Sequence, residues 1–245
     1  MKPKSKAIPL PKKKAIEVAD HMLTHIEREL YWALEIEASM EAANEVIQGG
    51  LKGKKFYGAN TFNVVSNALA VELSLVVAKL FEIPLARRGK SIVDRHNKSD
   101  VASIPMLVRL LKQKRCRNHY ASMSEEWGFG IGHLNGSPSK VLQTLDKLVW
   151  RYGHARRNRR FQLALARVKD FRNNRAAHAL MNQPAHPIYA DLHLMVDLAR
   201  DTLQDLRLVM RGENVDLLER EEIRRAEAAH FWSVSLNAAV AADER

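Results

Sequence analysis

Apolar residues return every three or four positions along most of this chain, and no segment shows a convincing two-residue strand rhythm. Ile16, Ala19, Leu23, Ile26, Leu30 and Ala33 form one such stripe. It predicts a helix over roughly 14–48, closed by Gly49 and Gly50, because glycine accepts the positive φ that ends a helix. A second helix is expected over about 61–82, stopping before Pro84. It is apolar around most of its circumference, which predicts a central place in a bundle. Ser103, as a cap, and Pro105 open a short helix to about 113. The stretch 116–136 reads as irregular and glycine-rich. Further helices are expected from Ser137-Pro138 to about 152, over 161–171, from Pro187 to near Gly212, and over about 215–240. The fold class that follows is all-α, a helical bundle with additional C-terminal helices.

The 245 residues are enough for one well-buried core, and 46% hydrophobic with 27% charged residues is ordinary for a folded protein. Three parts are expected: a flexible basic arm over 1–14, a helical domain over 15–212, and an amphipathic C-terminal helix over 213–245. The arm holds six lysines and Pro3, Pro9 and Pro11, which oppose a helix. Its only apolar core is Ile8-Pro9-Leu10, too short for a secretory signal. The most apolar run, 63–83, is interrupted by Glu72 and Lys79, so no membrane span is expected. Cys116 is the only cysteine, which excludes an intrachain disulfide and a cysteine-based zinc site. A reducing cytoplasm is the expected location, with no membrane partner, no cofactor and no metal.

Thirty-nine Lys and Arg against 28 Asp and Glu leave a formal charge of +11, an excess that attracts polyanions. Its densest part lies between Arg151 and Arg175, where nine basic residues meet a single acid, Asp170. Arg151, Arg156, Arg157, Arg159 and Arg160 fall within RYGHARRNRR, and arginine's planar fork suits phosphate oxygens. They are candidate RNA contacts, with Tyr152 and Phe161 as candidate stacking platforms for unpaired bases.

Directly after that run comes FRNNRAAHAL, Phe171 to Leu180. Cleaving RNA without a metal needs a base for the 2′-hydroxyl, an acid for the leaving oxygen, and a cation for the charge that builds on phosphate. Histidine serves the first two roles near neutral pH, and arginine the third. Arg172-Asn173-Asn174-Arg175-Ala176-Ala177-His178 resembles the signature of the HEPN family: Arg, a polar residue, then His after four to six intervening residues. Tyr31 to Asn44, Val76 to Glu82 and Asp100 to Leu111 are similar to the branch named for AbiU-type abortive-infection proteins. The likeness runs from about residue 30 to about 210.

The resemblance implies a helical bundle that pairs as a homodimer, with two Arg…His motifs facing one cleft. It implies metal-independent endoribonuclease activity, in many members as a toxin or in antiviral defence. Arg172, Asn173 and His178 then become the candidate catalytic residues. Antitoxins or regulatory proteins are partners in the family. Toxins paired with a nucleotidyltransferase antitoxin carry a Tyr two residues after the His, and here Leu180 stands there.

Spacing adds a constraint. Six residues of regular helix advance about 9 Å and turn about 240°, so Arg172 and His178 do not share a face. Either the helix breaks near Asn173-Asn174 or the two residues cooperate across a dimer. Arg175 lies one turn from His178 and is a further candidate phosphate contact. Alternatives left open are a non-catalytic RNA-binding or regulatory module and a protein-interaction scaffold. His21, His25 and Glu29 read as an exposed polar stripe, Gly128, Gly130 and Gly132 as a loop, and Asp197, Asp201 and Asp205 as a wet face paired with arginines.

Overall fold

The computed structural model describes residues 10–51, 58–83, 101–127, 137–175 and 187–243. Among these the fold is all-α, with no strand. The helices are α1 (Lys12–Val46), α2 (Ala59–Leu80), α3 (Ile104–Leu111), α4 (Lys114–Met123), α5 (Pro138–Arg157), α6 (Arg159–Arg175), α7 (Tyr189–Arg211) and α8 (Leu217–Asp243). A five-residue π turn, Ile47–Leu51, follows α1.

The long stripe of α1 is the spine of the bundle. Ala15, Ala19, Leu23, Ile26, Leu30 and Ala33 are fully buried, and α1 packs against α2, α3, α7 and α8. Side-chain pairs give the directions. Glu27 meets Arg211 and Glu37 meets His193, so α7 runs antiparallel to α1. Trp32 meets Glu72 and Glu29 meets Lys79, so α2 is also antiparallel. α8 runs parallel to α1, with Arg224 on Glu35 and Arg225 near Glu45. Helices α5 and α6 pack on α7 and on each other.

Helix ends follow local chemistry. Pro105 and Pro138 sit in the first turns of α3 and α5, where their missing N–H costs nothing. Asn158 leaves helical geometry between α5 and α6, and its Oδ1 accepts the Arg160 N–H at 2.8 Å. Asp216 accepts the N–H groups of Leu218 and Glu219 and so caps α8. Ser103 stands at the expected N-cap position of α3, but its side chain makes no capping bond. Its hydroxyl donates to the Glu82 carbonyl at 2.7 Å, tying the end of α2 to the start of α3.

Several sequence expectations need correction. Residues 12–14 of the expected arm belong to α1, which begins at Lys12 directly after Pro11, and residues 1–9 lie outside the described residues. The stretch 116–136 is not irregular throughout. Residues 114–123 form α4, which buries Cys116, Tyr120 and Ala121. Helix α2 is central only in its second half. Leu73, Val76, Val77 and Leu80 are buried, whereas Val64 is 67% exposed. By length and composition α2 is apolar enough to cross a bilayer, despite Glu72 and Lys79. A mostly buried core helix passes the same test, and 28% of this apolar window is buried. Helix α8 lies along α1, where Trp232 and Leu236 meet Ala42 and Ala43 in a second small core.

Candidate functional site

The cationic run resolves into three kinds of residue. Arg156, Arg157, Arg159 and Arg160 are exposed around the α5–α6 junction, and none forms an ion pair with a described residue. The bend at Asn158 turns the chain there, so the four side chains crowd one end of two packed helices. Arg151 is different. It binds the Asp205 carboxylate and the Asp201 carbonyl, which commits it to α7 rather than to a free surface. Tyr152 and Phe161 are core residues at 5% and 3% exposure, so they cannot stack on bases as expected. They fall on the inward stripe of their helices, and Phe161 packs edge-on against Phe81.

Arg172 and Asn173 lie near the end of α6. The Arg172 guanidinium donates to Asn173 Oδ1 at 3.2 and 3.3 Å and pairs with Glu82 at 3.2 Å. Helix α6 continues to Arg175, so it does not break at Asn173-Asn174. The continuous ladder of helix hydrogen bonds tolerates both asparagines. His178 lies outside the described residues. Lys169, one turn before Asn173, links the two ends of this region. Its ammonium is held below the usual lysine range, first by burial and then by the fields of Arg172 and Arg156. Glu82 opposes that shift.

Glu82 also lines a cleft of about 610 Å³ between α1, the end of α2 and Val101-Ala102. Its wall carries His21, His25, Glu29 and Lys79. The histidines read as an exposed stripe thus face a concave surface beside Arg172. Their Nε2 atoms are 3.3 Å apart. Arg28 lies 3.0 Å from His25 Nδ1, and a guanidinium only donates. His25 Nδ1 is thus the acceptor from Arg28, and its Nε2 faces His21.

A second constellation escaped the sequence reading. Glu37, 1% exposed, meets His193 Nδ1 at 2.8 Å, and His193 Nε2 faces Asp197 at 3.5 Å. Burial raises the Glu37 carboxyl to about 7, against the opposing pull of His193. Burial disfavours charge on His193, yet the bond to Glu37 and the nearby carboxylates raise its pKa on balance. Asp197 pairs with Arg200, and Arg200 with Glu221. The available signal was slight: Glu37 and Glu41 lie one turn apart on α1, as do Tyr189, His193 and Asp197 on α7. Only antiparallel packing brings the two rows together.

No family model matches the chain, and neither a curated protein nor a solved structure matches it.

Proposed function

We propose that the protein is a metal-independent endoribonuclease of the HEPN type, acting as a homodimer in toxin or antiphage defence in the cytoplasm. The observation that carries this reading is the group of exposed arginines at 156, 157, 159 and 160 at the start of α6, the same helix that carries Arg172 and Asn173 of the Arg…His motif at its other end. The all-α bundle is consistent with it.

In this mechanism the exposed arginines at 156, 157, 159 and 160 bind the RNA backbone and set its path. Arg175 adds a contact beside the reacting phosphate. His178 takes the proton from a 2′-hydroxyl, whose oxygen attacks the adjacent phosphorus. The P–O bond to the next nucleotide breaks, and that 5′-oxygen receives a proton from the partner motif's histidine or from His178 in turn. Arg172 stabilises the charge building on the non-bridging oxygens, oriented by Asn173. Glu82 holds Arg172 in the free protein and yields it to phosphate, exchanging one anion for another.

The test is cleavage of single-stranded RNA in excess EDTA. His178→Ala abolishes cleavage with the helical signal intact, and Arg172→Ala lowers the rate on the order of a hundredfold. Undiminished cleavage by His178→Ala overturns the assignment. Salt-dependent RNA binding with no cleavage by the wild type replaces it with the non-catalytic RNA-binding reading.

A further inference from the structure

We propose that Glu37, Glu41 and His193 form a divalent transition-metal site of the zinc class, with Asp197 facing the far nitrogen of the histidine. It lies apart from the cationic surface and does not depend on ribonuclease activity.

The geometry comes from two helices. Glu37 and Glu41 stand one turn apart on α1, and His193 faces them from the second turn of α7. One ligand atom from each lies within 4.8 Å of the others. Glu37 is the floor. Its Oε1 meets His193 Nδ1, while its buried Oε2 has no hydrogen-bond partner among the described residues. A carboxylate oxygen kept dry and unpaired is costly unless a cation or donor satisfies it. Glu41 and His193 form the rim, at 22% and 45% side-chain exposure, so an ion has a route from solvent.

The outer contacts suit a metal ligand. Asp197 faces His193 Nε2 at 3.5 Å. When a metal displaces the proton between Nδ1 and Glu37, the ring's remaining proton sits on Nε2 toward Asp197, the arrangement that carboxylates impose on metal-bound histidines. The Tyr189 hydroxyl donates to Glu41 at 3.1 Å and orients it. Carboxylates outnumber cations around the site: Glu37, Glu41, Asp197 and Glu221 face Arg200 and Arg225. Arg225 is the main competitor, 3.5 Å from Glu41, but it also binds Glu45 and keeps that partner when a metal takes Glu41.

Zinc binds nitrogen and oxygen at about 2.0–2.2 Å in tetrahedral geometry, so its ligand atoms sit roughly 3.3–3.5 Å apart. The Glu37–His193 contact of 2.8 Å therefore opens by about half an ångström as the metal replaces the proton between them. Two carboxylates and one imidazole leave a fourth position for water. A bound ion pins the first turns of α7 to α1.

The experiment titrates Zn²⁺, and Co²⁺ as a spectroscopic probe, into the full chain after removal of metal with EDTA. The expected result is one ion per chain and a visible Co²⁺ absorption of low-symmetry, four- or five-coordinate type. His193→Gln and Glu41→Gln weaken binding at least about tenfold. His193 is half exposed, so circular dichroism of that variant is expected to match the wild type. The control is His21→Gln with His25→Gln, which removes the other helical histidine pair and leaves the one-ion stoichiometry unchanged. No bound ion in the wild type, equal binding by His193→Gln, or loss of the ion in the His21/His25 variant each overturns the proposal. Cleavage of RNA in excess EDTA is read separately, so failure of either proposal is visible without the other.

Discussion

Glu37 carries a carboxyl group into the core, and the proton it shares with His193 couples the fold to pH. Burial raises the Glu37 pKa from 4.5 to about 7 in the folded chain. Between those values the native state holds a proton that the unfolded chain has released, so stability falls as pH rises through that range. His193 acts in the same sense. Its pKa is raised from 6.5, so its contribution is present below that value and is lost as pH rises through the folded one. The wild type, free of metal, is therefore expected to melt at progressively lower temperature from about pH 5 to about pH 8, a loss on the order of 2 kcal/mol. Glu37→Gln, which cannot ionise, flattens the lower part of that curve. Parallel melting curves for the two proteins across this range contradict the coupling. At this scale the sequence marked Arg172 and Asn173, because arginine and histidine at motif spacing are visible as letters. It did not mark Glu37, whose partner His193 is more than 150 residues away along the chain.

Helices begin and end here where local chemistry permits, and Gly212 is the sharpest case. It closes α7 at φ +70°, in the left-handed region. A β-carbon there would lie 2.7 Å from the Trp127 ring. Gly212→Ala therefore combines backbone strain of roughly 1–2 kcal/mol with a steric clash. The expected loss is at least about 2 kcal/mol, measured by urea unfolding at constant m-value. A change below about 0.5 kcal/mol contradicts both the backbone strain and the clash. The same turn lets α8 fold back along α1. Gly212 was legible in advance as a helix stop, as was Pro138 as a start. Helix α4 was not, since KRCRNHYASM offers only Cys116, Tyr120 and Ala121 to the core. A helix held by so few apolar residues leaves little periodicity to read. The apolar character of α2 misled in the opposite direction. Its first half projects past the bundle, where Phe62 finds Trp232 but Val64 stays exposed.

Over the whole molecule, a charge of +11 is spread unevenly. Helices α1, α7 and α8 commit arginines to carboxylates, as with Arg207 on Glu213, Arg211 on Glu27 and Arg224 on Glu35. The α5–α6 junction does not: among the described residues Arg156, Arg157, Arg159 and Arg160 stand exposed there without an ion-pair partner. Replacing Arg156, Arg157, Arg159 and Arg160 by Gln is expected to weaken RNA binding across sequences. The slope of log affinity against log salt falls by ~0.7 for each phosphate that the variant no longer neutralises. Fluorescence anisotropy over a salt series measures it. Arg151→Gln leaves that slope unchanged, because its guanidinium already serves Asp205. An equal effect from Arg151 contradicts the division between bound and free arginines.

The sequence by itself determined the helical class, most helix starts and stops, the spine stripe of α1 and the basic concentration before the Arg…His motif. Each rests on spacing within one segment, and helical periodicity and capping are local. Tertiary structure decided which charges remain free. It buried Tyr152 and Phe161, bound Arg151 to α7, kept α6 continuous through Asn173, and turned His21 and His25 toward a cleft. It also joined Glu37 to His193. Exposure and pairing depend on which helix faces lie against each other, and that is set by the packing of the whole bundle.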